Sequence, residues 1–275
     1  MTTSFSAPLP LSTLRFDPCN VCDKLKSLDI FDANVSIGRR TVSYDGDLET
    51  PDEILRAMDR FGISRAVAYH RLAVENHPAV GNRLLMDELQ GQDRLLPQWG
   101  VLPSSTGECP SADELSQMLR ANGISSVRMA PASHGYAFAA WCCGDLLEML
   151  AEQEVPVFIS MPEVEWNDLQ QTLAAFPGIR IILTDVGYRI GRRIYPLLRR
   201  FPELSMEYTG YVIHWGLEEL CAELGPERFV FGSGLGRNSP GAPLTTLALA
   251  DLPKDSRKPI AGENIRRILG REHDN

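Results

Sequence analysis

The sequence predicts an α/β protein of the (β/α)8 TIM-barrel class, a single domain behind a short N-terminal arm. Three observations carry this expectation. Apolar runs and amphipathic segments alternate from about residue 28 onward, the runs number eight, and each is continuously apolar rather than alternating. Strands buried on both faces, as in a parallel barrel, require that last pattern. A chain of 275 residues suits one such barrel, which routinely takes about 250.

The predicted strands are 29–35, 66–69, 95–101, 126–129, 157–160, 179–183, 204–207 and 228–231. Helical segments are expected at 51–61, 77–90, 111–122, 142–153, 166–175, 190–200, 214–224 and 239–269. Thr50-Pro51-Asp52-Glu53 reads as a capping box with proline at the first helical position, and Ser111-Ala112-Asp113-Glu114 repeats the box. Gly62 and Gly123 each follow a helix and precede an apolar run, the place for a left-handed residue that turns the chain into a strand. A doubly wound open sheet is the alternative. Its Gly-x-Gly-x-x-Gly turn after the first strand is missing, because Ile37-Gly38-Arg39-Arg40 holds a single glycine. These assignments divide the chain into an arm over residues 1–27 and a barrel over 28–275.

With 44% hydrophobic and 23% charged residues the chain can bury a large core. A net charge of -9 argues against a nucleic-acid binder, which needs a basic face. No apolar run approaches the roughly 20 residues of a membrane span. The first ten residues lack a basic then apolar leader pattern, so a cytoplasmic protein is expected. Cys19 and Cys22 form a C-x-x-C pair, but no second pair follows at zinc-site spacing. The six cysteines therefore read as reduced thiols.

Asp32-Ala33-Asn34-Val35-Ser36-Ile37-Gly38 ends the first strand, and it resembles the Asp-x-His-x-His-x-Gly signature of the amidohydrolase-related (amidohydrolase 2) family of barrel hydrolases. Segments 54–63, 81–85, 176–183, 227–233 and 261–269 are similar to later parts of that family, in the same order. The resemblance implies metal ligands at the ends of strands one, five, six and eight. The matching positions here are Asn34 and Ser36, Ser160, Asp185, and Gly234. Only Asp185 is a strong ligand for a catalytic divalent ion, so no metal and no other cofactor is expected.

Activation of water then falls to side chains at the carboxyl ends of the strands. Asp185 is the expected general base, or an acceptor that orients a substrate hydroxyl. Its alternative role is a structural ion pair with Arg189 or Arg128. Arg128 ends the fourth strand, where a guanidinium can clamp an anionic group or neutralise Asp185 and Glu207. Glu207 closes the seventh strand and could form an acid–base pair with Asp185. His70 follows the second strand and is a further catalytic candidate, with His134 behind it. Asn34, Ser36, Ser160, Tyr208, Ser233 and Arg237 count as substrate contacts, and Trp99 as an apolar wall or a core residue. Ser239 and Pro240 are expected to cap and begin a helix beside Arg237, leaving free N–H groups.

The expected function is a metal-independent hydrolase for a small anionic lactone, ester or amide. The rival expectation is a catalytically inactive barrel that binds a ligand or serves in an assembly. A small-molecule partner is expected in either case, nucleic acid and membrane are not, and a homo-oligomer is left open.

Overall fold

The computed structural model describes residues 18–252 and 255–271. Residues 1–17 of the expected arm, Lys254 and His273 lie outside the described residues, as does the side chain of Cys19. Strands β1 (Ile30–Ile37), β2 (Ile63–His70) and β3 (Leu95–Pro97) pair in that order, all parallel. Strands β4 (Trp99–Gly100), β5 (Val127–Met129), β6 (Val157–Ser160), β7 (Ile181–Thr184), β8 (Leu204–Glu207) and β9 (Phe229–Val230) continue the parallel order. β3 and β4 are two halves of one predicted strand, parted at Gln98, whose N–H donates to the Ala68 carbonyl at 2.9 Å. The barrel closes where Ala33 donates to Phe231 and Ser36 to Leu235, at 2.9 and 3.0 Å.

The helices are α1 (Pro18–Lys26), α2 (Pro51–Phe61), α3 (Leu72–Glu75), α4 (Pro78–Glu88), α5 (Ala112–Ala121) and α6 (Ala140–Glu152). They continue as α7 (Trp166–Ala175), α8 (Gly191–Arg200), α9 (Gly216–Leu224), α10 (Gly241–Leu249) and α11 (Asn264–Ile268). Both capping boxes form, with Thr50 and Ser111 accepting from Glu53 and Glu114 and being capped in return. Gly62 and Gly123 adopt the left-handed φ that the sequence led one to expect, +70° and +65°. Among the described residues no helix is long and apolar enough to cross a membrane.

Three local expectations change. The described part of the arm holds helix α1, whose Lys24 ammonium donates to the Ala248 carbonyl at 3.2 Å and ties it to α10. The last predicted helix divides into α10, one wide π-helical turn over Pro259–Glu263, and α11. Pro240 stands before α10 instead of inside it, and Ser239 Oγ accepts from Gly241 N at 3.4 Å.

The seam between β1 and the chain after β9 is packed backbone to backbone. Gly236 lies there at φ +101°, where an added Cβ would strike the Ser36 carbonyl and come within 2.9 Å of Arg71 Nη2. Gly236→Ala is therefore expected to cost about 2–4 kcal/mol, through left-handed strain plus the clash. A denaturant midpoint unchanged from wild type would show that this seam yields.

Candidate functional site

β1 carries a bulge, because its register against β2 slips between Asp32 and Val35. A bulge leaves backbone groups outside the ladder and re-aims a side chain. The displaced N–H of Asn34 donates to Asp32 Oδ1 at 3.0 Å, and the same carboxylate accepts from Ser233 N at 2.9 Å and from Ser233 Oγ. Asp32 is thus the clasp of the barrel seam. Burial pushes its carboxyl up to about 6 against the Ser233 and Asn34 hydrogen bonds. Ser233, expected as a substrate contact, has its hydroxyl committed to this clasp and to Leu235 N at 2.9 Å.

Asn34 meets Arg128, which projects from the middle of β5. The guanidinium donates from Nη2 to Asn34 Oδ1 at 3.0 Å, from Nε to Gln98 Oε1 at 2.8 Å and from Nη1 to Thr184 Oγ1 at 3.4 Å. It also lies 4.1 Å from the centroid of the Tyr69 ring, a cation–π geometry. Only 4% of Arg128 is exposed. Asn34 Nδ2 in turn faces Glu207 Oε2 at 3.5 Å, and Glu207 Oε1 accepts from Thr209 N at 2.5 Å. Burial pushes the Glu207 carboxyl up to about 7, opposed by the Thr209 bond and helped by the nearby Asp185 charge.

The rim above this layer is more open. Asp185 has φ +52°, a left-handed position for a non-glycine residue, directly after β7. Such strain clusters at functional sites. Its Oδ1 accepts from Arg237 Nη2 at 2.9 Å, and the two side chains are 24% and 28% exposed. Burial acts to raise the Asp185 carboxyl, but the charges of Arg237 and Arg128 and hydrogen bonds from Ser160 and Arg237 outweigh it. Asp185 is consequently held below the ordinary carboxylate range, ionised at neutral pH. Arg237 Nε is buried without a hydrogen-bond partner.

The structure therefore brings together Asn34, Arg128, Ser160, Asp185, Glu207 and Arg237. It places others elsewhere. His70 accepts from Leu72 N at 3.2 Å and lies 3.7 Å from Glu88, so the imidazole serves the start of α3 and faces α4. Burial and the neighbouring Arg71 charge hold it below its usual value. Tyr208 packs on Phe231 and donates its hydroxyl to the Pro243 carbonyl at 3.0 Å, anchoring α10. Ser36 Oγ accepts from Arg71 Nε at 3.2 Å, and Arg71 Nη2 also donates to Leu48 and Gly236. His134 has the Val74 backbone, Glu163 and His77 as its polar neighbours, none of them in this cluster.

Four residues complete the site beyond those singled out from sequence: Asp32, Tyr69, Gln98 and Thr184. Gln98 and Asp32 are polar residues inside otherwise apolar strand segments, and Thr184 immediately precedes Asp185. That interruption of an apolar run was the available signal.

The residues do not fit a divalent metal. At the positions that the family resemblance equates with ligands stand an amide, two hydroxyls, one carboxylate and a glycine. The Asn34 oxygen that faces the centre is taken by a guanidinium, so a divalent ion there would meet a cation instead of a lone pair. Among the described residues no group of three or more His, Cys, Asp or Glu is arranged to hold a metal ion.

Several solved structures share the fold. An uncharacterized TIM-barrel protein from Bordetella bronchiseptica superposes with a TM-score of 0.70 at 15% identity, covering 89% of this chain and 99% of that one. The 5-carboxyvanillate decarboxylase of Sphingomonas paucimobilis gives 0.68 at 12% identity, over 88% and 99%. The corresponding decarboxylase of Novosphingobium aromaticivorans, complexed with manganese and 4-hydroxy-3-methoxy-5-nitrobenzoic acid, gives 0.70 at 12%, over 89% and 97%. These likenesses establish a TIM barrel. No curated protein sequence matches the chain. The family described as Amidohydrolase matches residues 39–271, most of the barrel, and the chain belongs to that family.

Proposed function

We propose that this amidohydrolase-family protein hydrolyses a small anionic lactone, ester or amide at the Asp185–Arg237 rim, without a divalent metal. The supporting observation is the pair itself: a strained, ionised carboxylate bonded to a partly exposed arginine that keeps one N–H unpartnered. An incoming anionic group takes the Arg237 guanidinium, which is suited to bidentate binding of carboxylate or phosphate. Asp185 then loses part of the charge that holds it down, and its basicity rises where a base is needed. Water attacks the carbonyl carbon while Asp185 accepts its proton. Asp185 then returns that proton to the leaving oxygen or nitrogen. Arg128, fixed beneath by Asn34, Gln98 and Thr184, supplies a permanent positive potential at the reacting carbonyl.

The second reading is a barrel that binds an anion without turning it over. The burial of Arg128 and Glu207, 4% and 1% exposed, favours it, since these side chains fill the centre of the mouth. A screen of carboxylated lactones, esters and amides against protein prepared with chelator separates the readings. The hydrolase predicts turnover indifferent to chelator, with kcat reduced about 10²–10⁴-fold in Asp185→Asn. Turnover that requires added divalent metal, or that survives undiminished in Asp185→Asn, overturns it. Binding of the same acids with no turnover leaves the second reading. Carbon dioxide release from aromatic acids would make the enzyme a lyase, as in the decarboxylases that share its fold.

A further inference from the structure

Along β2 every second side chain turns into the barrel. Val67 belongs to the apolar cluster that fills the interior, with Phe31, Leu96, Phe158 and Ile182. Tyr69, two residues on, faces the same interior one layer nearer the mouth. Gln98, Ser160 and Thr184 stand in that layer too, each two residues beyond Leu96, Phe158 and Ile182.

The Tyr69 ring is held and its hydroxyl is not. The Arg128 guanidinium lies 4.1 Å from the ring centroid. Arg237 is raised above its ordinary value first by Tyr69, against burial, and then by Asp185, so the phenol lies beside the rim pair. Among the described residues no hydrogen bond reaches the hydroxyl. Its oxygen is not sealed from solvent, as the indole nitrogen of Trp99 is in the core. Tyr69 is nevertheless only 6% exposed. A nearly buried hydroxyl without an acceptor carries a free-energy cost that a ligand oxygen removes.

Hydrolysis at the rim needs a donor for the carbonyl oxygen, which becomes an oxyanion when water adds. Each nitrogen of Arg128 already donates, to Gln98, Thr184 and Asn34, so this guanidinium contributes charge. Arg237 serves Asp185 and the incoming anion. The hydroxyls of Ser160 and Thr184 turn to Asp185, and that of Ser233 to Asp32. Asn34 Nδ2 faces Glu207, and Gln98 Nε2 donates to Ser126 at 3.2 Å. Among these side chains the Tyr69 hydroxyl is the donor that remains.

We propose that Tyr69 is a catalytic residue, the hydrogen-bond donor to the oxyanion formed when water adds to the substrate carbonyl at the Asp185–Arg237 rim. The assignment rests on the hydrolase reading of that rim. Water bonds to the carbonyl carbon, its proton goes to Asp185, and the carbonyl π pair moves to oxygen. The Tyr69 O–H meets that oxygen without giving up its proton. The pair then re-forms the carbonyl, and the leaving oxygen or nitrogen departs with the proton from Asp185. Arg128 and Arg237 make the potential there positive, and a donor aimed where charge develops lowers the barrier.

Tyr69→Phe keeps the ring face on Arg128 and removes the O–H, so its urea midpoint is expected to stay close to wild type. With a substrate from the lactone, ester and amide screen, kcat is expected to fall about 10²–10³-fold while KM stays within about threefold. An unchanged kcat, or a loss carried by KM alone, overturns the assignment. The hydrolase reading fails on different results, metal-requiring or Asp185-independent turnover, so the two failures are told apart. A second measurement needs no turnover. Phosphonoacetate presents a carboxylate for Arg237 and a tetrahedral anion that resembles the oxyanion. Calorimetry of the full-length protein is expected to show about one equivalent bound, and binding about tenfold weaker in Tyr69→Phe. Propionate, with the carboxylate alone, is expected to bind both proteins alike. Failure of wild type to bind phosphonoacetate, equal affinity in the two proteins, or equal weakening of both acids overturns the role of Tyr69.

Discussion

Arg128→Met is expected to destabilise the protein by about 3–5 kcal/mol, the largest single-residue effect in the barrel mouth. Methionine fills most of the arginine stem, so the loss does not come chiefly from a void. It comes from Asn34 Oδ1, Gln98 Oε1 and Thr184 Oγ1, which all face the guanidinium and would lose their donors in a buried layer. The Tyr69 face would lose its cation as well. Arg128→Lys is expected to recover only part of the loss, because one ammonium cannot reach three acceptors set around a planar fork. Urea denaturation of the three proteins at one pH measures this directly. A loss below about 1 kcal/mol for Arg128→Met would mean that the buried layer rearranges around an apolar side chain, and that Arg128 is no fixed source of charge.

Stability is expected to fall as pH rises from about 5 to 8, and Glu207 is the main cause. Its carboxyl stands at about 7 in the folded chain against an ordinary 4.5. The folded state therefore holds a proton that the unfolded chain releases in this window. Stability from that difference is fully present below about pH 4.5 and is lost as pH climbs through about 7. At about 1.4 kcal/mol per pH unit the loss amounts to about 3 kcal/mol. Asp32, raised from 3.8 to about 6, acts with the same sign in a lower window. Asp185 has the opposite sign: its lowered carboxyl stabilises the fold above its ordinary value and loses that contribution in acid. Glu207→Gln is expected to flatten the decline between pH 5 and 8 by about 2–3 kcal/mol, while leaving the acid limb controlled by Asp185. Parallel stability curves for wild type and Glu207→Gln would show that Glu207 titrates normally.

Much of the architecture was legible without coordinates, for identifiable reasons. Capping boxes at Thr50 and Ser111, and glycines after α2 and α5, are local chemistry that no tertiary contact needs to complete. Unbroken apolar runs reveal parallel strands because both of their faces are covered. The short helix α3 was not legible. It forms where the His70 ring accepts from Leu72 N, a local contact without a strong pattern. Helix α1 was missed because its docking on α10 joins residues more than two hundred positions apart.

The site was legible as a set of positions and not as a set of roles. Glu207 ends β8 and Asp185 follows β7, where a barrel builds its chemistry, while Asn34 lies inside β1 and Arg128 in the middle of β5. Sequence order alone does not tell which side of a strand end a side chain occupies. Ser233 and Tyr208 look alike as candidates with Ser160, yet one clasps Asp32 and the other secures α10. The bulge in β1 decides where Asn34 points, and a bulge shows only in the register against a neighbouring strand.

By itself the sequence determined the family and the barrel. Only the tertiary structure decided what stands at the centre of that mouth. An arginine from β5 reaches across to the first, third and sixth strands of the barrel and meets acceptors on Asn34, Gln98 and Thr184. The physical reason is range: ligand types are local and can be read one residue at a time. A buried charge such as that of Arg128 is stable only where several distant strands aim oxygen atoms at one point.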